Sequence, residues 1–301
     1  MKQIAAIRTN RWGPAEERLL EHLRQAFGDD VTVVFHNRPS GVAPPADVVD
    51  LQGAWLSEQG LRAVQDWGWR CGDYFYYALR TAKPRYDYYW LVEPDVLFSG
   101  PASDFFARFD TVGTDVLGLD PEPMPDPTAP FAGSLLHLER WRAIFALTRM
   151  SGTALDRLLD LRRENSRFEI GPRKFANDEL FVFSNAMAHP DIHVGNLRDH
   201  AGDWFDGAHF DTAPDIIDRA VLDTPAMAGK VFHPVRNLEG FKAEVANRIA
   251  QRMAFMDKTG DSWAHLDDKD LVEIADDIRA QVLKNLRDGK AANARTKEAA
   301  E

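Results

Sequence analysis

Cysteine is nearly absent. Cys71 stands alone in 301 residues, which excludes an intramolecular disulfide and any cysteine-rich metal cluster and fits a reducing compartment. No apolar stretch approaches the roughly 18 uninterrupted residues needed to span a bilayer, and the run before Arg8 is too short for a secretory signal. Positive charge is scarce as well. Lys and Arg number 36 against 47 Asp and Glu, a formal net charge of −11, which argues against a general phosphate-backbone binder but allows a local basic pocket. Together these absences lead us to expect a cytoplasmic protein with no nucleic-acid partner and no transmembrane segment, with peripheral contact at the inner membrane face left open. Three phosphate and nucleophile signatures are missing too: Gly-x-x-x-x-Gly-Lys, Gly-x-Gly-x-x-Gly after the first strand, and Gly-x-Ser-x-Gly. Their absence argues against a P-loop ATPase, a simple NAD enzyme and an α/β-hydrolase.

What is present is a chain that folds. The hydrophobic share of 45% and charged share of 28% are ordinary for a globular protein. Gln3–Arg8 reads as a strand, Pro14 opens a helical pattern with Leu19, Leu20, Leu23 and Phe27 on one face, and Val31–Phe35 reads as a second strand. Gly72–Arg80 has a helical pattern, Tyr86–Val92 an apolar run suited to a strand covered on both faces, and Asp115–Leu119 another short strand. Strands alternating with helices predict an α/β fold, a Rossmann-like mostly parallel sheet flanked by helices. Leu138 to about Arg163 reads as helical, and Ala201–Pro214 as a covering loop. Val231–Pro234 is a late strand. Two amphipathic helices follow, marked by Phe241, Val245, Ile249, Met253 and Met256, and by Leu271, Ile274, Ile278, Val282 and Leu286. The expected organisation is a main domain over 1–237 with halves 1–120 and 121–237, a helical cap over 238–288 and a disordered tail over 289–301.

The most informative stretch is Tyr88-Tyr89-Trp90-Leu91-Val92-Glu93-Pro94-Asp95, followed by Val96-Leu97-Phe98-Ser99-Gly100. An apolar strand ends in two carboxylates, where ligands of open α/β sheets bind. Residues i and i+2 of an extended chain point the same way, so Glu93 and Asp95 can face one cation, and carboxylate oxygens suit Mg²⁺ or Mn²⁺. A plain polar turn after a buried strand is the competing reading.

This stretch resembles the acidic Asp-x-Asp-type motif region of nucleotide-sugar glycosyltransferases with the GT-A fold. The resemblance implies that Asp95 ligates a Mn²⁺ or Mg²⁺ on the donor diphosphate, with Glu93 as accessory carboxylate, and Glu in place of the first Asp is a departure from the family pattern. It further implies that His233, in Val231-Phe232-His233-Pro234, is a third metal ligand, and that a carboxylate of Asn177-Asp178-Glu179 meets the acceptor hydroxyl, Asp178 ahead of Glu179. Both acids also suit a first helical turn capped by Asn177. In the family, residues after the first strand hold the nucleotide, which points to Arg8, Thr9 and Arg11, and Asp73 lies where the base is contacted. Lys174 and Arg236 are candidates for offsetting the leaving phosphate. Trp204 and Phe205 suggest a sugar-stacking acceptor wall.

The expected partners are a nucleotide-sugar donor, UDP-sugar favoured, and a carbohydrate, lipid-linked or protein acceptor. Two other readings stay open. One is a non-catalytic nucleotide- or glycan-binding protein of the same fold. The other is a metal-dependent hydrolase centred on His200, Asp203, Asp206, His209 and Asp211.

Overall fold

The computed structural model describes residues 1–126, 130–212, 215–256 and 267–298. It separates into two compact units, Met1–Phe241 and Lys242–Glu301.

The first unit begins with β1 (Gln3–Thr9), α1 (Pro14–Phe27), β2 (Val31–His36), β3 (Asp47–Leu51), α2 (Gly53–Glu58), α3 (Trp67–Arg70), α4 (Gly72–Ala82) and β4 (Tyr88–Val92). The apolar runs of β1 and β4 are buried along their length because helices cover both faces. After the acidic turn come β5 (Leu97–Phe98), α5 (Ala102–Phe106), β6 (Val116–Pro123), β7 (Trp141–Ser151), α6 (Gly152–Ser166), α7 (Asp178–Ala188), β8 (Val194–Asn196) and α8 (Arg198–Ala201). The unit closes with β9 (Phe205–Phe210), β10 (Ile216–Ile217), α9 (Asp218–Leu222), β11 (Val231–His233), β12 (Val235–Arg236) and the start of α10 (Leu238–Met256).

Among the described residues the main sheet has seven strands in the order β3-β2-β1-β4-β7-β6-β8. Strands β3, β2, β1 and β4 are mutually parallel, β7 is antiparallel to both β4 and β6, and β8 is parallel to β6. The fold is α/β and Rossmann-like, a mostly parallel sheet flanked by helices, as its sequence pattern predicts. A small sheet, β5-β11-β9, stands beyond the main one. One core joins α4, α6 and α7 against the sheet around Tyr74, Tyr76, Tyr89 and Phe181, and a second joins α1 and α5 around Trp90, Phe98, Phe105 and Phe106.

Two expectations are corrected. The span expected to be helical from Leu138 holds the eleven-residue strand β7 before α6 starts at Gly152. Its Ala, Leu, Met and Arg content favours helix, but pairing with two neighbouring strands overrides local preference. The covering loop expected at Ala201–Pro214 contains β9, which pairs with β11; Ala213 and Pro214 lie outside the described residues. In the second unit α11 spans Asp268–Glu298; 299–301 lie outside the described residues, as do 257–266. No described helix is long and apolar enough to cross a membrane.

Candidate metal and nucleotide site

The parallel pairing of β1 with β4 sets Ile7 opposite Val92, so Arg8 and Glu93 leave adjacent carboxyl ends together. The acidic turn is fixed by backbone contacts: Glu93 N donates to Ala146 O of β7 at 2.9 Å and Val96 N to Glu93 O at 3.1 Å. Pro94 has no donor to offer the ladder. Some 140 residues on, β11 pairs with β5, and Val235 N donates to Asp95 O at 2.8 Å. These contacts deliver His233 and Arg236 to the acidic turn.

Glu93, Asp95 and His233 converge with one potential ligand atom each within 4.8 Å of the others. His233 Nε2 lies 3.5 Å from Asp95 Oδ1 and 3.8 Å from Glu93 Oε2. A backbone carbonyl can only accept, so the 2.7 Å contact of His233 Nδ1 with Asp211 O places a proton on Nδ1 and aims Nε2 at the carboxylates. The outer oxygens are occupied: Arg8 Nη1 donates to Glu93 Oε1 at 2.9 Å and Arg236 Nη1 to Asp95 Oδ2 at 2.6 Å. Asp95 Oδ1 is buried without a hydrogen-bond partner, an orphan acceptor of the kind that a cation satisfies. Two carboxylate oxygens and an imidazole nitrogen fit Mn²⁺ or Mg²⁺. Burial opposes ionisation of Glu93, but the Arg8 charge, His233 and Arg236 outweigh it and bring the carboxyl down to about 2. Burial and the neighbouring Glu93 push Asp95 up.

Arg8 is expected to touch the nucleotide, yet its side chain is only 7% exposed and is spent on protein groups. Besides Glu93, it donates to Asp178 Oδ2 at 3.0 Å, to Gly68 O at 3.2 Å and to Trp69 O. Asn177 Oδ1 accepts from Leu180 N at 3.3 Å and caps α7, which sets both acids in the first turn. Asp178 is fully engaged, with Oδ2 also accepting from Gly72 N at 2.7 Å and Oδ1 from Glu179 N at 2.9 Å. Glu179 is partly exposed, and its carboxylate has only a 3.4 Å contact from Asn177 Nδ2. Burial, then Asp178 and Glu93, raise the Glu179 carboxyl to about 7. Burial raises Asp178 to about 6 against the pull of Arg8.

A cleft of about 610 Å³ opens beside the triad, lined by Arg8, Arg11, His36, Trp69, Asp95 and Arg236 among others. Sequence reasoning missed Trp69, 72% exposed at this cleft, because Trp67-Gly68-Trp69 is too short a stretch to carry a periodic signal. It also missed the role of Gly72. A Cβ there would run into Arg8 Nη1 and come within 2.5 Å of Asp178 Oδ2. Gly72→Ala is therefore expected to break the Arg8–Asp178 contact and cost about 1–3 kcal/mol in urea unfolding; unchanged stability would show that the close approach is dispensable.

Of the other expected site residues, Thr9 and Arg11 line the cleft and the rest are placed elsewhere. Asp73 is not at a base: its side chain is 1% exposed and paired with Arg162 at 2.8 Å inside the core. Thr9 is buried and serves the turn, 3.1 Å from Glu16 Oε1, while Arg11 is exposed and pairs with Glu16 at 3.5 Å. Lys174 is exposed and does not line the cleft. Trp204 and Phe205 form no acceptor wall, being buried with ring centroids 5.5 and 5.8 Å from Phe105. The hydrolase cluster does not assemble: His200 packs on Phe109, Asp203 pairs with Arg108 and His209 with Asp206. Among the described residues the acid–histidine group that can hold a metal is Glu93, Asp95 and His233.

No protein-family model matches the chain, and no curated protein matches it. Among solved structures it is similar to a Bacillus anthracis protein described as a glucose-1-phosphate thymidylyltransferase, crystallised with sucrose. That match has 10% identity and a TM-score of 0.37, and covers 64% of this chain and 86% of the other. A likeness of this degree carries no weight for the site.

Proposed function

We propose that the chain is a divalent-cation-dependent glycosyltransferase of GT-A type that moves a sugar from a nucleotide-diphosphate donor to a hydroxyl acceptor. The observation that carries this reading is the convergence of Glu93, Asp95 and His233 beside a cleft at the carboxyl ends of β1 and β4, with Asp95 Oδ1 left without a hydrogen-bond partner. A bound Mn²⁺ or Mg²⁺ would supply positive charge against the departing diphosphate. Arg236, on the cleft wall, orients Asp95 and offers a second cation to the same phosphates. Arg8 holds Glu93 ionised and ties it to Asp178, which makes it a positioning residue rather than a donor contact. Trp69 offers the nucleoside an apolar face.

On the acceptor side, Glu179, partly exposed in the first turn of α7 and outside the lining of the cleft, meets the incoming hydroxyl in place of Asp178, whose oxygens are already used. A carboxyl near 7 is matched to taking a proton at neutral pH. The wild-type kcat/KM is expected to rise with pH through about 7, and Glu179→Gln to lose that limb with about a 10²–10⁴-fold drop in rate. The linkage to stability has the opposite sense. A carboxyl raised on folding favours the native state below its ordinary 4.5, and this contribution is lost as pH rises through about 7. Glu179→Gln should therefore gain stability relative to wild type between pH 5 and pH 8, on the order of 1 kcal/mol given its partial exposure. A variant whose rate profile keeps the wild-type shape would remove Glu179 from the acceptor role.

The test of the whole reading is thermal stabilisation by UDP and by GDP, each with and without Mn²⁺. A shift by one nucleotide that needs the metal supports the reading, and no shift under any condition overturns it. Metal-dependent binding without any turnover of nucleotide sugars would reassign the chain as a binding protein.

A further inference from the structure

Arg236 leaves a bond unmade. A guanidinium on a carboxylate commonly forms two parallel hydrogen bonds, one to each oxygen. Here Nη1 reaches Asp95 Oδ2 at 2.6 Å, while Oδ1 of the same carboxylate stays buried with no hydrogen-bond partner. A second acid accounts for this. Asp215 Oδ1 lies 3.6 Å from Arg236 Nε, and the Asp215 side chain is 5% exposed. The guanidinium is thus shared between two carboxylates, and the pull on Nε opposes the turn that would set it squarely over both oxygens of Asp95.

The backbone holds the three groups together. Val235 N of β12 donates to Asp95 O at 2.8 Å, and β12 also pairs with β10, Ile216 opposite Val235 and Ile217 opposite Arg236. Ile216 N donates to Pro234 O at 3.0 Å, which brings Asp215, the residue before β10, beside Arg236. Arg8 stands in the same relation to the other acid of the triad, its Nη1 being shared between Glu93 Oε1 at 2.9 Å and Asp178 Oδ2 at 3.0 Å. Each carboxylate of the triad is therefore held by an arginine that a second acid also claims.

We propose that Asp215 is a positioning residue of the cation site, drawing Arg236 aside so that Asp95 Oδ1 stays open to a divalent cation. The inference rests on the reading of Glu93, Asp95 and His233 as the cation's ligands. With Asp215 neutralised, the arginine closes on both oxygens of Asp95, and a cation has to displace a two-pronged ion pair to reach Oδ1. With Arg236 removed, nothing competes for Asp95, and Asp215 loses its hold on the site. Partners of this kind, one step behind the ligands, set how well a metal is held.

The test is equilibrium dialysis of the full chain against Mn²⁺, alone and with UDP or GDP on both sides of the membrane. Asp215→Asn should weaken Mn²⁺ binding about tenfold with its circular dichroism unchanged, and Asp215→Glu should recover most of the loss. Arg236→Met should bind Mn²⁺ more tightly than the wild type, and adding Asp215→Asn to it should change the constant by less than about twofold. Asp218→Asn removes a carboxylate that lines the same cleft but pairs with Arg18 at 3.1 Å, and it should leave Mn²⁺ affinity at the wild-type value. Four outcomes overturn the proposal while leaving the cation site standing: Asp215→Asn binding like the wild type, the same loss from Asp215→Asn in the Arg236→Met background, an equal loss from Asp218→Asn, or Arg236→Met binding no more tightly than the wild type. A wild type that takes up no Mn²⁺ with or without nucleotide overturns the cation-site reading and this inference with it.

Discussion

Asp95→Asn is expected to abolish metal-dependent nucleotide binding while leaving the protein folded. At a hundredfold excess over its dissociation constant a ligand that binds only the native state adds about 2.7 kcal/mol, which for a unit of this size moves Tm by about 5–10 °C. The substitution keeps the shape of the side chain and lets an oxygen still accept from Arg236, whose 2.6 Å contact falls on Oδ2. What it removes is the charge on Oδ1, the buried atom without a hydrogen-bond partner. The thermal shift with UDP or GDP and Mn²⁺ should vanish, the shift without metal should be unaltered, and sugar transfer should fall about 10²–10³-fold. His233→Ala should reproduce the loss of metal dependence, because Nε2 faces Asp95 and Glu93 from the opposite side. A variant at Asp95 that retains the full metal-dependent shift would mean that the cation binds elsewhere.

The largest stability effect is expected at Arg162. Its side chain is fully buried, pairs with Asp73 through Nε at 2.8 Å and Nη2 at 3.1 Å, and donates to Ala176 O at 3.0 Å. Its guanidinium carbon also stands 4.2 Å from the centre of the Phe181 ring and 4.7 Å from that of Phe175. Burial pulls the Arg162 pKa down, but the Asp73 carboxylate more than offsets it, and the guanidinium is held above its ordinary value. Arg162→Met strands a carboxylate in the core and should cost about 3–5 kcal/mol. Replacing both partners by apolar residues, Arg162→Met with Asp73→Leu, should recover most of that loss, since a dry core no longer contains a lone charge. Chemical unfolding of the two single variants and the double settles it. A double variant as unstable as Arg162→Met would show that the arginine matters for the carbonyl it holds and not for the ion pair.

The contrast between Asp95 and Asp73 shows how much of the site was legible in the sequence. Glu93-Pro94-Asp95 is local: strand polarity, a proline that ends the ladder and two acids at alternate positions suffice to place carboxylates at a sheet edge. His233 was reachable only through the resemblance, since nothing near it in the chain signals the 3.5 Å approach to Asp95. Asp73 looked like a ligand-facing acid at a helix start, and only its partner eighty-nine positions away reveals a core ion pair. Trp204 and Phe205 misled for a related reason. Aromatics in a Gly- and Asp-rich stretch read as a surface feature until the pairing of β9 with β11 turns them inward. For the fold, period and turn chemistry located the parallel strands β1, β2 and β4 but not β3 or β8, while β7, whose composition suits a helix, is defined by its neighbours on both sides.

Two arginines described by no functional role donate to neutral partners. Arg149 is buried in the sheet and donates to the carbonyls of Phe109, Val112 and Thr114, and Arg70 donates to those of Pro172 and Phe175. Burial brings Arg149 down to about 10, so it remains charged at neutral pH. Both therefore spend positive charge on neutral partners inside the molecule. The net charge of −11 makes the protein anionic, so it should be held on an anion exchanger. A polyanionic acceptor such as a uronic-acid polymer would approach against this field, slowly at low ionic strength and faster as salt screens it, whereas a neutral glycan would encounter no such barrier.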